Sequence, residues 1–309
     1  MEKKITRITE KHFDEPPASV EKTAEGLMHE TYTVNIHETE YIIQFSGDDY
    51  ENHSALNHCL KMYELLKDSK IPVPRVMTEK VQEIDGREYT IVEKLPGSNM
   101  EQNVSREKVR QAGKILAKIH SYQSFEHEGH ISFEDSEMKV HRFEEGSLKQ
   151  QKLNELDEKL KILRDNDLKD LADKLEEIIQ ENIDEAYPKN FQPVLCHDDY
   201  SPDNTIWKNG EITGIIDFDF TFSGLPERNL VKSANTFWMH DPGAEWDIRR
   251  TFYEAYREER EISDNFEEME KYFRVETLMW LVAGLIDMGE VNEEQKEFYR
   301  EKINQTVQQ

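Results

Sequence analysis

Residues 196–204 read "CHDDYSPDN", which crowds His197, Asp198, Asp199, Asp203 and Asn204 together; Asp217 and Asp219 follow in "GIIDFDF". Acids this close repel one another, and each costs free energy near apolar surface unless something positive compensates it. A divalent cation carrying a phosphate would do so. The turn signal "KNGE" (208–211) separates two short apolar runs, "TIW" and "GIIDF", at the spacing of a β-hairpin. That hairpin would bring Asn204, just before its first strand, close to Asp217, at the end of its second. An amide oxygen beside a carboxylate suits Mg²⁺, which takes hard oxygen ligands and leaves sites for water and phosphate. Asp199, on the same loop, is then free to accept a hydrogen bond from a substrate hydroxyl and orient it for attack.

The elements that must hold these residues are legible in outline. "ETYTVNIH" (30–37) and "EYIIQFS" (40–46) are β-rich runs around a short turn. Ala55, Leu56, Cys59, Leu60, Tyr63 and Leu66 recur at helical spacing, and "IPVPRV" (71–76) stops that helix. "VQEIDGREYTIVEKL" (81–95) reads as two strands about Asp85–Gly86, and Pro96–Gly97 punctuates the chain. Helical character follows: an amphipathic run at 106–122, a polar irregular stretch at 121–150, and one long helical pattern at 152–184. Leu153, Leu156, Leu160 and Leu163 share one face of that pattern. The stretch 194–220 reads as short strands joined by loops, and aromatic-rich helices follow. The expectation is an α+β fold of two lobes: a small β-rich lobe at 1–96 and a larger, mainly helical lobe at 97–309.

Composition sets bounds on function. The 309 residues are 36% hydrophobic, enough for a sizeable core. The net charge of −26 repels nucleic acid and anionic membranes, so neither is an expected partner. The acids are spread along the whole chain, as a solvation device for a salty cytoplasm would be. Two cysteines, Cys59 and Cys196, are too few for a disulfide framework. The N-terminus lacks a signal-peptide apolar stretch, and "LMWLVAGLI" (278–286) is too short to span a bilayer. A cytoplasmic protein is the expectation.

The acidic motif resembles that of a known family. "HDDYSPDN" (197–204) fits the H-x-D-x-x-x-x-N catalytic loop of the aminoglycoside phosphotransferase and choline kinase-like family, and "IDFD" (216–219) is similar to its metal segment. Further likenesses are "AEGLMHETYTV" (24–34) to the nucleotide loop, "IPVPRV" to a segment after the first helix, "IVEKLPG" (91–97) to the hinge strand, and "LAKIH" (116–120) to the next helix. The resemblance spans most of residues 24 to 230. It implies a protein-kinase-like fold and transfer of the γ-phosphate of Mg-ATP, or GTP, to a small-molecule hydroxyl. On this reading Asp199 orients the acceptor, Asn204 and Asp217 hold Mg²⁺, and His197 fixes the loop backbone. Asp219 either takes a second metal or bonds to the loop. Gly26 and His29 cover the phosphates, and Glu93 and Leu95 meet the base.

Two departures matter. Where the family carries a lysine on the third strand, this chain has Gln44, which can donate hydrogen bonds to phosphate but brings no charge. The helix position that would hold its glutamate falls near His58–Cys59, so both halves of the ion pair are missing together. An aspartate that braces the catalytic loop is replaced by Asn229. The first departure supports a rival reading, a catalytically weak kinase-like protein that binds nucleotide or a partner. A third reading takes His197–Asp198 as the start of a metal phosphohydrolase site, which would need further histidines in a helical setting. Asp198 and Asp203 read as solvated and Cys196 as a buried small side chain. The aromatics at Trp238, Trp246, Phe252, Tyr253, Tyr256, Tyr272, Phe273 and Trp280 read as helix core rather than a cation box. Asp241, Glu245 and Asp247 are positional candidates for an acceptor pocket.

Overall fold

The structure, a computed structural model, describes residues 1–25, 29–47, 54–99, 104–134, 137–289 and 291–307. In chain order the elements begin with α1 (Glu2–Phe13), β1 (Ser19–Glu25), β2 (His29–Ile36), β3 (Thr39–Ser46), α2 (Ser54–Leu66), β4 (Gln82–Ile84), β5 (Arg87–Glu93) and β6 (Ser98–Asn99). Next come α3 (Arg106–Tyr122), β7 (Gly129–Glu134), β8 (Glu137–His141), α4 (Leu148–Asp165), α5 (Lys169–Ala186) and β9 (Val194–Cys196). The chain continues through β10 (Thr205–Lys208), β11 (Glu211–Ile215), β12 (Phe222–Gly224), α6 (Pro226–His240), α7 (Ile248–Arg257), α8 (Phe266–Asp287) and α9 (Glu293–Val307). This is the expected α+β fold with a strand-rich N-terminal part. Two compact units interleave along the sequence: 1–100, 133–138 and 203–220 form one, and 101–132, 139–202 and 221–309 the other.

In the first unit, an antiparallel sheet runs in the order β1-β2-β3-β5-β4. Asp85 (φ 50°) and Gly86 (φ 76°) make the β4–β5 turn, because both central positions of this turn type need a positive φ. Alternation along the strands puts Val34, Ile36, Ile43, Phe45, Tyr89 and Ile91 into one core. Helix α1 covers that core with Ile5 and Ile8, both fully buried. Each such burial stabilises by roughly 1.5–3 kcal/mol. A second sheet, β11-β10-β6, completes the unit's strands.

The second unit is built on helices α3 to α9, with β7 and β8 pairing to β12 and β9 in a short sheet. Ser105 caps α3, its Oγ accepting the Lys108 amide at 3.4 Å. Two expectations need correction here. The stretch 121–150 is not irregular throughout: 129–134 and 137–141 are strands. The pattern at 152–184 is two helices, because Asp167 adopts φ 63° between Asn166 and Leu168 and reverses the chain. Asn and Asp tolerate that conformation where most side chains do not. Leu156, Leu160 and Leu163 are buried as expected, whereas Leu153 is only partly so. Phe252, Tyr256 and Phe273 are core, but Trp238 and Trp246 are half-buried. Among the described residues no helix is long and apolar enough to cross a membrane.

Candidate active site

In the first unit, the β10–β11 hairpin closes through Asn209 (φ 51°) and Gly210 (φ 91°), with Thr205 paired to Ile215. At its open end the Ile216 amide donates to the Asn204 carbonyl at 3.0 Å. Asn204 therefore lies against Ile216, the residue before Asp217. Asp217 itself has φ 62°, an uncommon conformation for a residue with a side chain. Its amide donates to the Tyr63 hydroxyl at 3.2 Å, and the buried Phe218 ring stands edge-on to Tyr63 with centroids 5.9 Å apart. One turn before Tyr63 on α2 lies the buried Cys59. Burial, with the Asp219 and Asp217 carboxylates nearby, pushes the Cys59 thiol well above its ordinary range. Tyr63 was legible only as a core position of its helix; nothing in the spacing marked it as the brace of the acidic segment.

Asp219 is almost fully buried and pairs through Oδ2 with His29 Nε2 at 2.7 Å. Its Oδ1 is buried with no hydrogen-bond partner among the described residues. The nearby His58 has its pKa lowered by burial, against the opposing pull of the Asp219 charge. A histidine and a cysteine thus fill the α2 position where the resemblance implies a glutamate. Gln44 lies on β3, half-buried, on the opposite face from the core residues Ile43 and Phe45. Glu93 ends β5, where its amide donates to the Arg75 carbonyl at 2.9 Å. Leu95 rests its side chain directly over Gly214 of β11. Gly26 lies outside the described residues.

The donor set can be tested against Mg²⁺. A buried carboxylate oxygen without a partner is what a cation should find, and Asn204, Asp217 and Asp219 offer only hard oxygens. Among the described residues no cluster of three His, Cys, Asp or Glu side chains stands at ligating spacing. Two carboxylates plus one amide would not form such a cluster, so the residues fit the ion.

In the second unit, β9 delivers His197 into full burial, its ring edge-on to Tyr200 at 5.8 Å. Asp199 is half-buried two residues on, and Asp203 is exposed. Asp198 is not solvated, contrary to the reading of the sequence. It takes φ 60° and turns its carboxylate to Lys232 Nζ at 2.9 Å and Arg228 Nη1 at 3.6 Å, both on α6. Burial raises its pKa, but Lys232 and Arg228 outweigh that and hold it below the ordinary range. Arg228 is itself buried against Glu276 of α8, with Nε 3.2 Å from Oε2. The 228/232 spacing of two cations on one helix face was the signal for this anchor.

The loop is tied down further. The Tyr200 hydroxyl donates to the Ala112 carbonyl at 3.0 Å, and Thr236 Oγ1 donates to the Tyr200 carbonyl at 3.0 Å. Asn229, in place of the bracing aspartate, sits 2.9 Å from His120 Nε2 through its Oδ1. An amide oxygen only accepts, so the ring proton is on Nε2 and the Tyr256 hydroxyl donates to Nδ1 at 2.8 Å. Burial drives the His120 pKa down to about 3.

None of the curated proteins compared with the chain matches it by sequence. Solved structures do match in fold. The aminoglycoside phosphotransferase APH(4)-Ia superposes with a TM-score of 0.70 at 11% identity, covering 100% of this chain and 99% of its own. A protein assigned as a fructosamine-3-kinase from Haemophilus somnus 129PT gives 0.64 at 16%, covering 99% and 97%. The aminoglycoside 2'-phosphotransferase-IIIa, in a GDP complex, gives 0.64 at 17%, covering 99% and 97%. At these identities the likeness establishes the kinase-like fold alone. The sequence match goes further: residues 19–264 fit the phosphotransferase enzyme family (APH), and the chain belongs to that family.

Proposed function

We propose that the protein transfers the γ-phosphoryl group of Mg-bound ATP or GTP to a hydroxyl of a small molecule, an aminoglycoside, another sugar, choline or an amino alcohol. The observation that supports this reading is the backbone bond that sets Asn204 against Ile216, next to Asp217, with the unpartnered oxygen of Asp219 two residues further on. Solved relatives in fold have been captured with AMP-PNP and hygromycin B, or with GDP, which supports a nucleotide donor and a small acceptor.

Asn204, Asp217 and Asp219 would hold the metal through their side-chain oxygens. A magnesium ion held there would supply charge to offset that of the phosphates. Asp199 accepts the hydrogen bond of the acceptor hydroxyl and aims its oxygen at the γ-phosphorus. A new O–P bond forms, the β–γ bridging bond breaks, the proton leaves through Asp199, and the nucleoside diphosphate departs. His29 fixes Asp219, and His197 holds the loop from within the core. Gln44 offers neutral donors to the phosphates, and Glu93 and Leu95 line the base. Most of the rate comes from positioning and electrostatics, as is general for phosphoryl transfer.

Gln44 favours a second reading, nucleotide binding with little turnover. One experiment separates the two. Purified wild type, Asp199→Ala and Asp217→Ala are assayed for Mg-ATP and Mg-GTP binding, and for nucleoside diphosphate release with a panel of hydroxylated acceptors. The proposal expects Asp199→Ala to bind nucleotide but lose turnover, and Asp217→Ala to lose both. Unchanged turnover in Asp199→Ala overturns the mechanism. Metal-dependent binding without turnover in wild type supports the second reading.

A further inference from the structure

Helix α6 has two working faces. Lys232 and Thr236, one turn apart, hold the Asp198 carboxylate and the Tyr200 carbonyl of the acidic loop. Trp238 lies about 200° round the helix from Thr236, at 3.6 residues per turn, and so faces the other way. On that second face is a cavity of about 750 Å³ walled by the end of α6, by α7 and by the first turns of α8. Its size falls within the usual range for small-molecule sites. Asp241 and Asp247, positional candidates for an acceptor pocket, line this cavity.

The cavity contains an uncompensated charge. The Arg249 guanidinium is stacked on Trp238, 4.0 Å from the ring centroid, and its Nε donates to Asn235 Oδ1 at 2.6 Å. Its Nη2 is buried and, among the described residues, has no partner. Beside it, Arg274 donates from Nη2 to Glu270 Oε2 at 2.8 Å and leaves its own Nε buried without a partner. The other oxygen of Glu270 is taken by the Tyr253 hydroxyl at 3.2 Å. Glu270 is thus taken by Arg274 and Tyr253, and no carboxylate is bonded to Arg249. Of the other acids of the wall, Asp247 caps α7, Glu254 pairs with the exposed Arg250, Glu267 is exposed and Asp241 is half-buried. Burial, with no carboxylate bonded to it, drags the Arg249 pKa down to about 10.

A buried cation without a counter-charge is expensive, and a planar guanidinium fixed on an indole is preorganised to grip an oxyanion. We propose that this cavity is a second ligand site, for a small molecule bearing a carboxylate or phosphate group, with Arg249 as its anchor. The half-buried rings of Trp238 and Trp246 supply apolar wall for the rest of the ligand, and the exposed Lys271 draws the anion in at the rim. Five bases and five acids line the cavity, so its wall is neutral in a chain of net charge −26. The site is separate from the phosphotransfer chemistry and does not depend on it.

The test is thermal unfolding and tryptophan fluorescence under titration with inorganic phosphate and, separately, benzoate, balanced with sodium chloride to constant ionic strength. Wild type, Arg249→Gln and Lys271→Glu are compared, each also with Mg-ATP. At least one anion should raise the wild-type Tm by a few degrees, saturably, and change the fluorescence; which one responds tells a phosphate ligand from a carboxylate ligand. Arg249→Gln should abolish that response, and Lys271→Glu should weaken the affinity several-fold, while both keep the wild-type response to Mg-ATP. No saturable response to either anion in wild type, or the same response in Arg249→Gln, overturns the proposal. If Arg249→Gln does not fold, unchanged anion affinity in Lys271→Glu overturns it. The Mg-ATP arm reports on the phosphotransferase reading independently.

Discussion

His29, the first residue of β2, holds Asp219 at 2.7 Å through Nε2 and Oδ2, joining the start of the sheet to the end of the acidic segment. The bond fixes the carboxylate plane, so that Oδ1 alone is left for a cation. Partners of this kind, one step behind a ligating oxygen, change metal affinity by about 10–100-fold when removed. His29→Leu is therefore expected to raise the Mg²⁺ concentration that half-saturates nucleotide binding by at least about tenfold. A Mg²⁺ titration at fixed nucleotide reads this directly, and an unmoved midpoint contradicts the arrangement.

Tyr63 braces Asp217, two residues back. Its hydroxyl accepts the Asp217 amide, at a position whose φ of 62° the chain would not hold unaided. Tyr63→Phe removes that acceptor and keeps a ring of nearly the same shape. A loss of roughly 1–3 kcal/mol of stability is expected in urea unfolding, along with weaker Mg-nucleotide binding. Loss of stability with binding intact would show that Asp217 keeps its pose without the tyrosine.

His120 predicts a pH dependence. Its pKa is about 3 when folded, against an ordinary 6.5, so between those values the unfolded chain binds a proton that the folded chain refuses. Stability from this group is complete above about pH 6.5 and falls as the pH drops towards 3, by up to about 1.4 kcal/mol per pH unit. Chemical denaturation at pH 7 and pH 5 should show a decline that is smaller in His120→Gln. Asn229→Asp should also flatten it, because a carboxylate facing Nε2 stabilises the imidazolium. An identical pH slope in wild type and both variants counts against the buried neutral ring.

Two glycines with positive φ separate backbone strain from steric clash. Gly86, at φ 76°, has open space around it, whereas a Cβ on Gly97, at φ 119°, would stand 2.3 Å from the Trp207 carbonyl oxygen. Gly86→Ala should cost about 1 kcal/mol, the price of the left-handed conformation alone. Gly97→Ala should cost clearly more, because the main chain of β10 would have to shift. Equal midpoints for the two variants in thermal unfolding would refute the close approach of β10 to the 96–99 segment.

Local chemistry decided which parts could be read from the residues. The two turns at Asp85–Gly86 and Asn209–Gly210 were plain, because positive φ at both central positions leaves few residue choices. The hairpin that sets Asn204 against Ile216 followed from the spacing of its two strands. Helix α1 was not visible: only Ile5 and Ile8 of its apolar residues are fully buried, with no side-chain cap at its N-terminus. The β7–β8 strands were hidden by their polarity. Asp198 was misread because its partners, Arg228 and Lys232, lie some thirty residues on and reach it only through the packing of α6. The Arg249 cavity gave no signal, since Trp238, Arg249, Glu270 and Arg274 converge from three helices with no motif between them.

The two thiols offer a last consequence. Cys59 lies in one compact unit and Cys196 in the other, both are buried, and burial pushes both thiols well above their ordinary range. Neither forms the reactive thiolate in the native state. Each becomes alkylatable only when its surroundings open, so the chain carries one natural reporter per unit. Pulse labelling, followed by mass analysis of the two cysteine peptides, would time the opening of each half separately, in an unmodified protein and with no probe attached.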